Sequence, residues 1–400
     1  MAKKATKEVM KDINLKLLMK EIYYSKGTDR ASLSKKTKLS PATVTNLVAE
    51  LKEQGKIKEV GNAVSTGGRK PIILAINPDY RYVIGIKIGY SYINFMLSDL
   101  NGTVKSVEQK VYDQITTGLI ITELRQQWQL WKKEYSVEFL GIGVAVSGVV
   151  DSINGTVINS QLLKWQNVEL AKRLKKEFSV DVQILNDVDS FALAQMWKGE
   201  AYQYKNAAFL TLGVGIGGAI ILNGTLLSTY GTVTEFGHIT VREDGIKCNC
   251  GSRGCLEAEA SFKALSEKIN MATSSGKLKA AFRTMNDDES AEIDFIKRAL
   301  KEDKQTTLEI FREYSTLVGI VLKDIINIFR PDYFLIGGEA MAFSDYFYKN
   351  TVEFAKRNCF KGLSDNLLFD KDHIGENAWT LGCIYKVIDK DMFNSNTINS

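Results

Sequence analysis

Two stretches of the sequence repeat one pattern, and this repeat limits the folds that the chain can adopt. The first, Y-V-I-G-I-K-I-G-Y-S-Y-I-N-F-M-L-S-D-L-N-G-T-V, begins at Tyr82, and the second, A-F-L-T-L-G-V-G-I-G-G-A-I-I-L-N-G-T-L, begins at Ala208. Each is a β-rich run, a glycine-containing turn, a second β-rich run and Asn-Gly-Thr. Asn-Gly is a strong hairpin signal because both residues tolerate positive φ, so we expect equivalent turns at Asn101-Gly102 and Asn223-Gly224. The repeat predicts a duplicated α/β domain with a cleft between its halves.

Hydrophobic periodicity predicts further elements of the α/β class. The predicted strands are Phe139–Val146, Val182–Leu185 and Asp332–Ile336. The predicted helices are Leu119–Glu134, Ser190–Lys198, Ser261–Met271, Ala291–Leu300 and Leu308–Phe329.

The first part of the chain is basic and has the pattern of a helix-turn-helix. Residues 1–70 contain 16 Lys or Arg against 7 Asp or Glu, whereas the remainder contains 36 against 40, which predicts a polyanionic partner at one end. Helices are predicted at Asn14–Ser25, at Asp29–Thr37, and from an N-cap at Ser40 to Gly55. Residues for the major groove of DNA lie at the start of the third helix: Ser40, Ala42, Thr43, Thr45 and Asn46.

Two short apolar runs, Ile57–Val60 and Ile72–Ile76, predict the strands of a β-wing. Between them lies V-S-T-G-G-R-K-P, with Gly68, Arg69 and Lys70 at the predicted tip. Such a tip suits a narrow minor groove, although cations that contact only phosphates fit the pattern equally well. For the whole module, DNA binding is favoured over a protein-docking winged helix.

Three of the five cysteines fall within eight residues, at Cys248, Cys250 and Cys255, and His238 precedes them by ten residues. Thiolate and imidazole are preferred zinc ligands, and three Cys with one His complete a tetrahedral shell. We expect Gly251 and Gly254 to fold the loop back on itself. The pattern predicts a structural Zn²⁺ site, favoured over unrelated reduced cysteines.

Polar residues suited to sugar hydroxyls surround this motif. Glu235 precedes it, Glu257 follows it, and Asn186-Asp187 comes directly after a predicted strand. Asp187 is a candidate general base or a plain hydrogen-bond acceptor. The glycines at 213, 215, 217 and 218 could approach phosphates, but a tight hairpin explains them better.

The N-terminal sequence, the lengths of the apolar runs and the cysteine usage indicate the cellular compartment. The N-terminus has no apolar run of the signal-peptide kind, and no window approaches twenty uninterrupted apolar residues. Together with the cysteine usage, this favours a reducing cytoplasm and no membrane contact.

These motifs resemble those of the ROK family (repressors, open reading frames and sugar kinases) over nearly the whole chain. The most specific is E-x-G-H, nine residues, C-x-C-G-x-x-G-C-x-E, intact from Glu235 to Glu257. The resemblance implies an actin-like (ribonuclease H-like) two-lobed fold, a homodimer or dimer of dimers, and sugar binding by a set of five residues. These are Asn186, Asp187, Glu235, His238 and Glu257.

The chain departs from the family's kinases at both phosphate motifs. The first, D-x-G-G-T, reads K-I-G-Y-S from Lys87 to Ser91, and Val214 replaces a Thr in the second. The resemblance therefore implies a non-enzymatic repressor like the family's xylose repressors, released from palindromic, AT-rich operator DNA by an aldose. The alternatives are an ATP-dependent sugar kinase with an accessory DNA-binding domain, and a repressor whose inducer is a partner protein.

The predicted domains are a winged helix-turn-helix over residues 1–76, a first lobe over 80–188 and a second lobe over 189–377. We expect the C-terminal helix 378–393 to pack back onto the first lobe, and the second lobe to carry the zinc motif.

Overall fold

The computed structural model describes residues 7–62, 71–227, 234–274 and 289–393. Contacts divide the chain after Phe191 and again after Ala378 into two units. Unit 2 is residues 192–378, and unit 1 is the rest of the chain. The boundaries of the three predicted domains stay a prediction.

The N-terminal part of unit 1 consists of three helices followed by two strands. They are α1 (Lys7–Tyr24), α2 (Arg30–Thr37), α3 (Pro41–Glu53), β1 (Ile57–Asn62) and β2 (Ile72–Ile76). The strands pair antiparallel, with a bulge between Glu59 and Gly61. Asp29 caps α2 and Ser40 caps α3 through side-chain oxygens that accept backbone N–H groups. Gly55, at a φ of +72°, ends the third helix as predicted.

A five-stranded mixed sheet forms the centre of unit 1. Its strands are β3 (Tyr82–Ile88), β4 (Tyr92–Ser98), β5 (Val104–Val111), β6 (Phe139–Val146) and β10 (Asp181–Asn186). They lie in the order β10-β6-β3-β4-β5, with β3, β6 and β10 parallel. The sequence of β6, F-L-G-I-G-V-A-V, is buried throughout, as expected for a central strand covered on both faces.

Helices and a small sheet complete unit 1. The helices are α4 (Thr117–Tyr135), α5 (Leu170–Phe178), α6 (Asp187–Lys198), which continues into unit 2, and α12 (Ala378–Ile388). The small sheet has strands β7 (Val149–Asp151), β8 (Thr156–Ser160) and β9 (Trp165–Val168). Apolar side chains of α4 and α5 pack in one core with those of β3, β6 and β10.

Glycines let α12 lie directly on the sheet. A Cβ at Gly85 would meet Thr380 and Ile384, and one at Gly143 would meet the backbone carbonyl of Cys383. Larger residues at these positions would hold the helix away from the strands. A π-helical turn, Asp389–Phe393, follows α12.

Unit 2 is built on a second five-stranded sheet. Its strands are β11 (Ala207–Leu212), β12 (Ile216–Leu222), β13 (Thr225–Leu226), β14 (Tyr333–Gly337) and β15 (Leu368–Lys371). Its other helices are α7 (Leu256–Ala260), α8 (Phe262–Ser274), α9 (Glu289–Glu302), α10 (Lys304–Phe329) and α11 (Ser344–Asn358). Apolar residues of α8, α10 and α11 share one core with β11 and β14.

The two sheets confirm the duplication. Read from the outer antiparallel strand, their orders are β5-β4-β3-β6-β10 and β13-β12-β11-β14-β15, with matching parallel and antiparallel pairs. The Asn-Gly turns differ, however. Asn223 and Gly224 both have positive φ, whereas in the first repeat only Gly102 does. There the Asp99 carboxylate accepts backbone N–H groups of Asn101 and Thr103, which shapes a longer turn.

The predicted helices and strands are present, with ends displaced by up to seven residues at the start of α1. Further elements that were not predicted include β5, α5, α11 and β15. Across the described ranges, every helix is too short or too polar to cross a membrane.

Candidate functional site

The four predicted metal ligands come together in unit 2. One nitrogen of His238 and the sulfurs of Cys248, Cys250 and Cys255 all lie within 4.8 Å of one another. The Cys248 Sγ to His238 Nδ1 distance is 3.5 Å, and the Cys250 Sγ to Cys255 Sγ distance is 3.6 Å. A tetrahedron with Zn–S bonds of about 2.3 Å and a Zn–N bond of about 2.0 Å has edges of roughly 3.5 to 3.8 Å. These two distances match the edges of a tetrahedral zinc site, and all four ligand atoms lie within 4.8 Å of one another, close enough to surround one ion.

Backbone geometry explains why the cysteine loop closes. Gly251 and Gly254 have φ of +101° and +66°, and a Cβ at Gly254 would collide with the carbonyl of Arg242. The N–H of Cys248 donates to the carbonyl of Ser252 at 2.8 Å. The expected folding-back of the loop at these glycines is confirmed.

The pKa values of the three thiols in this cluster are shifted in opposite directions. Burial raises the pKa of Cys255 to about 12 and raises that of Cys248. A backbone hydrogen bond at Ser252 lowers the pKa of Cys250 to about 7. Three thiolates this close would repel one another, so a bound cation is needed for all three to ionise together.

The short helix α7, which starts after Cys255, links this loop to the neighbouring hairpin. The Glu257 carboxylate accepts the N–H of Ile216 at 3.0 Å, and that of Glu259 accepts the N–H of Ile246 at 2.7 Å. Glu259 is buried and also lies near the cations of Arg242 and Lys268. Sequence reasoning missed Glu259, although its position two residues beyond Glu257 was a usable signal.

His238 and Glu235 lie on one 3₁₀ turn. With Nδ1 facing Cys248, the Nε2 of His238 lies 3.9 Å from Glu235 Oε2. A metal bound through Nδ1 would leave Nε2 available to an outside partner.

Asn186 and Asp187 lie together in unit 1, where β10 ends and α6 begins. The Asn186 oxygen accepts the N–H groups of Val188 and Asp189, and its amide nitrogen donates to the carbonyl of Gly148. Asn186 thus acts first as a helix cap, and one amide N–H is left outside these bonds.

Asp187 has a partner that the sequence analysis missed. Lys87 Nζ lies 2.7 Å from Asp187 Oδ2, with both side chains mostly buried. The other oxygen, Oδ1, accepts the N–H of Val188 at 3.0 Å. The Lys residue itself was a signal, because it replaces the first carboxylate of a phosphate motif.

The second glycine turn is the tight hairpin that the sequence favoured. β11 and β12 pair up to Leu212 and Ile216, and the N–H of Gly213 donates to the carbonyl of Gly215. The carboxylate of Glu339 occupies the space that a Cβ at Gly213 would need. This negative charge opposes the approach of a phosphate to the turn.

The residues predicted for the major groove lie at the start of α3. Ala42, Thr45 and Asn46 are exposed, whereas Ser40 and Thr43 hydrogen-bond to each other at the helix cap. Gly68, Arg69 and Lys70 lie outside the described residues. Lys35 and Lys38, which the sequence analysis missed, are exposed just before α3, and the K-K-T-K run was their signal.

Comparison with known proteins identifies the family. The ROK family model matches residues 83–390. A xylose repressor of Caldicellulosiruptor bescii is 32% identical over 385 residues, covering 95% of this chain and 96% of its own length. The Bacillus subtilis xylose repressor is 28% identical, with coverage of 96% and 97%.

A solved structure carries the same fold through the N-terminal module. A ROK family transcriptional regulator, a homolog of the Escherichia coli MLC protein, covers 96% of this chain and 98% of its own, with a TM-score of 0.83 and 22% identity. The family model, the relatives and this fold agree, and the chain is a member of the ROK family.

Proposed function

We propose that this protein is a sugar-responsive transcriptional repressor of a carbohydrate-utilisation operon. The observation that carries the proposal is the near-full-length similarity to proteins named xylose repressor, which extends through the N-terminal module. On this basis the operon is one for xylose or a related aldose. The protein is not an enzyme.

The N-terminal module would bind double-stranded operator DNA. The surface for base contacts is the exposed start of α3, at Ala42, Thr45 and Asn46, with the cap residues Ser40 and Thr43 behind it. The predicted wing residues Gly68, Arg69 and Lys70 would contact the minor groove. A homodimer or dimer of dimers would present two modules to a palindromic, AT-rich operator.

Sugar binding is assigned to the five residues that the family resemblance implies. In unit 1, Asn186 and Asp187 offer an amide N–H and carboxylate oxygens, and in unit 2, Glu235, His238 and Glu257 offer two carboxylates and an imidazole. Such donors and acceptors suit the hydroxyls of an aldose. A sugar that binds one conformation more tightly shifts the protein toward it by that difference in affinity.

A structural Zn²⁺ would be held by His238, Cys248, Cys250 and Cys255. Its chemistry is to fix the loop between Glu235 and Glu257, and it takes no part in a reaction. Support comes from the two short distances, Cys248 Sγ to His238 Nδ1 and Cys250 Sγ to Cys255 Sγ, which match edges of a tetrahedral site, and from the grouping of all four ligand atoms within 4.8 Å.

The kinase alternative is disfavoured by two features. Asp187, which would be the base, is ion-paired with Lys87, and the carboxylate of Glu339 covers Gly213 at the second phosphate turn. The first feature ties up the carboxylate that would act as base, and the second opposes the approach of an ATP phosphate.

The test begins with selection of genomic fragments by the purified protein, followed by gel shift with D-xylose and other aldoses. We expect specific binding that one aldose weakens by about a hundredfold at one hundred times its Kd. His238→Ala should keep operator binding and lose release by sugar, whereas Asp365→Asn, at an exposed position, should change neither. ATP-dependent phosphorylation of an aldose, or sugar release retained by His238→Ala, would contradict the proposal.

A further inference from the structure

Lys87 lies in the middle of unit 1 and reaches the residue that follows a different strand. It is the penultimate residue of β3, and Asp187 directly follows β10. The two strands flank β6, where Lys87 aligns with Ala145 and Asn186 aligns with Val146. The lysine side chain therefore crosses the C-terminal end of β6 to reach Asp187.

The pair is removed from solvent. The side chains of Lys87 and Asp187 are 12% and 17% exposed, and their charged atoms are 2.7 Å apart. Breaking such a pair by removing one partner is costly because the other charge stays behind without compensation.

The ion pair also fixes the direction of the carboxylate. Oδ2 is held by the ammonium of Lys87, and Oδ1 is held by the N–H of Val188. A carboxylate oxygen has two lone pairs, so each oxygen can still accept one hydroxyl. The group is thereby presented in one orientation before a ligand arrives, which lowers the cost of ordering it on binding.

We propose that Lys87 is a positioning residue of the sugar site, which holds the Asp187 carboxylate in the orientation that accepts sugar hydroxyls. This inference rests on the proposed function and extends it. Because Lys87 already balances the charge of Asp187, the carboxylate needs no divalent cation, and we expect it to bind a neutral aldose without Mg²⁺ or a nucleotide.

The test compares D-xylose affinity by isothermal titration calorimetry among purified full-length variants. Lys87→Met, which keeps the length of the side chain and removes its charge, should weaken binding by at least about tenfold. Lys87→Arg, which keeps the charge, should recover most of that loss. Adding Mg²⁺ or ATP should leave the wild-type affinity within about twofold.

A double substitution separates positioning from a general effect on the fold. If Lys87 acts through Asp187, then Lys87→Met should cause no further weakening in the Asp187→Asn background. A lysine that supports the fold without acting through Asp187 would weaken binding by the same factor in both backgrounds.

Lys105→Met is the matched control. Lys105 pairs with the buried Asp99 at 3.1 Å in the same unit, without contact to Asp187, so its loss should leave D-xylose affinity unchanged. Wild-type affinity with Lys87→Met, or equal factors in the two backgrounds, would overturn the inference alone. A wild-type protein that binds no D-xylose would overturn both this inference and the xylose assignment.

Discussion

The burial of Cys255 favours metal binding by the cysteine loop. Its side chain is fully buried, and burial raises its pKa to about 12. Without a cation, this thiol stays protonated close to two other sulfurs and an imidazole. With zinc, the thiolate becomes a ligand and closes the loop.

We therefore expect Cys255→Ser to lose zinc. Zinc measured by atomic absorption should fall from about one ion per chain to less than about 0.2, because a serine hydroxyl is a poor zinc ligand. Cys359→Ser provides the control, since Cys359 lies outside the cluster. Equal zinc in the two variants would show that the cluster does not bind the ion.

The metal ligands could be predicted because they lie close together in the sequence. The partners of the Asp187 and Glu257 carboxylates could not, because they lie far away in the sequence. The cysteines and His238 lie within 18 residues, so their spacing alone predicts a cluster. The Lys87–Asp187 pair joins residues 100 positions apart and depends on the order of strands. The contact of Glu257 with Ile216 depends likewise on how α7 meets the hairpin.

At the scale of elements, α12 depends on small residues beneath it. The carbonyl of Cys383 lies where a Cβ at Gly143 would be, so Gly143→Ala should push the helix off β6. We expect a loss of about 1–3 kcal/mol in the free energy of unfolding, typical of overpacked cores. Urea denaturation followed by circular dichroism would measure it.

Gly118→Ala makes the same chemical change where space is open. Gly118 lies in the first turn of α4, and the nearest atom to its Cβ position is 3.9 Å away. This variant should be neutral or more stable by up to about 1 kcal/mol. If both variants behaved alike, close packing of α12 on the sheet would not be the cause.

The C-terminal turn joins α12 to the N-terminal module. The ring of Phe393 lies 4.8 Å from that of Tyr23 and 5.9 Å from that of Tyr24. Tyr24 and Tyr385 hydrogen-bond through their hydroxyls, and burial raises the pKa of Tyr385 above its ordinary value.

The other end of α12 meets α6 close to Asp187. The Ser190 hydroxyl donates to the carbonyl of Trp379, and the rings of Phe191 and Trp379 are 5.1 Å apart. A continuous series of contacts within unit 1 thus runs from the first turn of α6 through α12 to α1.

Phe393→Ala should therefore uncouple operator release from sugar binding. We expect unchanged D-xylose affinity by calorimetry, while the sugar-dependent drop in operator affinity falls from about a hundredfold to less than about tenfold in gel shift. Phe360→Ala, at an exposed position in unit 2, should leave both quantities unchanged. Full release by Phe393→Ala would exclude this route.

Periodicity predicted the buried elements better than the exposed ones. The central strand β6 is an unbroken apolar run, and its predicted ends are those observed. The edge strand β5, V-K-S-V-E-Q-K-V, is largely polar and exposed, so its own hydrophobic pattern does not predict a strand. The hairpin signal at Asn101-Gly102 indicated a turn before it, and pairing with β4 defines its extent.

At the scale of the whole molecule, the two stretches that repeat in the sequence form corresponding strands of two sheets with the same topology. Both sheets place their first strand in the middle, flanked by an antiparallel pair on one side and parallel strands on the other. The two copies have since diverged in chemistry. One carries the ion pair of Lys87 and Asp187, and the other carries the cysteine loop with Glu257.

The separation of charge along the chain predicts how binding responds to salt. Operator binding should weaken steeply, by about 10³-fold or more between 50 and 200 mM salt if six or more phosphates are contacted, because bound cations are released from DNA. D-xylose affinity should barely change, since a neutral sugar displaces no ions. Fluorescence anisotropy and calorimetry across a salt series would measure the two quantities.

Single lysines should contribute to that slope only where they face DNA. Lys35→Ala and Lys38→Ala, just before α3, should each lower the slope of log K against log salt by about 0.9, because each contact neutralises one phosphate. Lys349→Ala is the control, as its side chain is 86% exposed on α11 of unit 2. If Lys349→Ala lowered the slope as much as Lys35→Ala, DNA would lie against unit 2 and the assignment of the N-terminal module would be wrong.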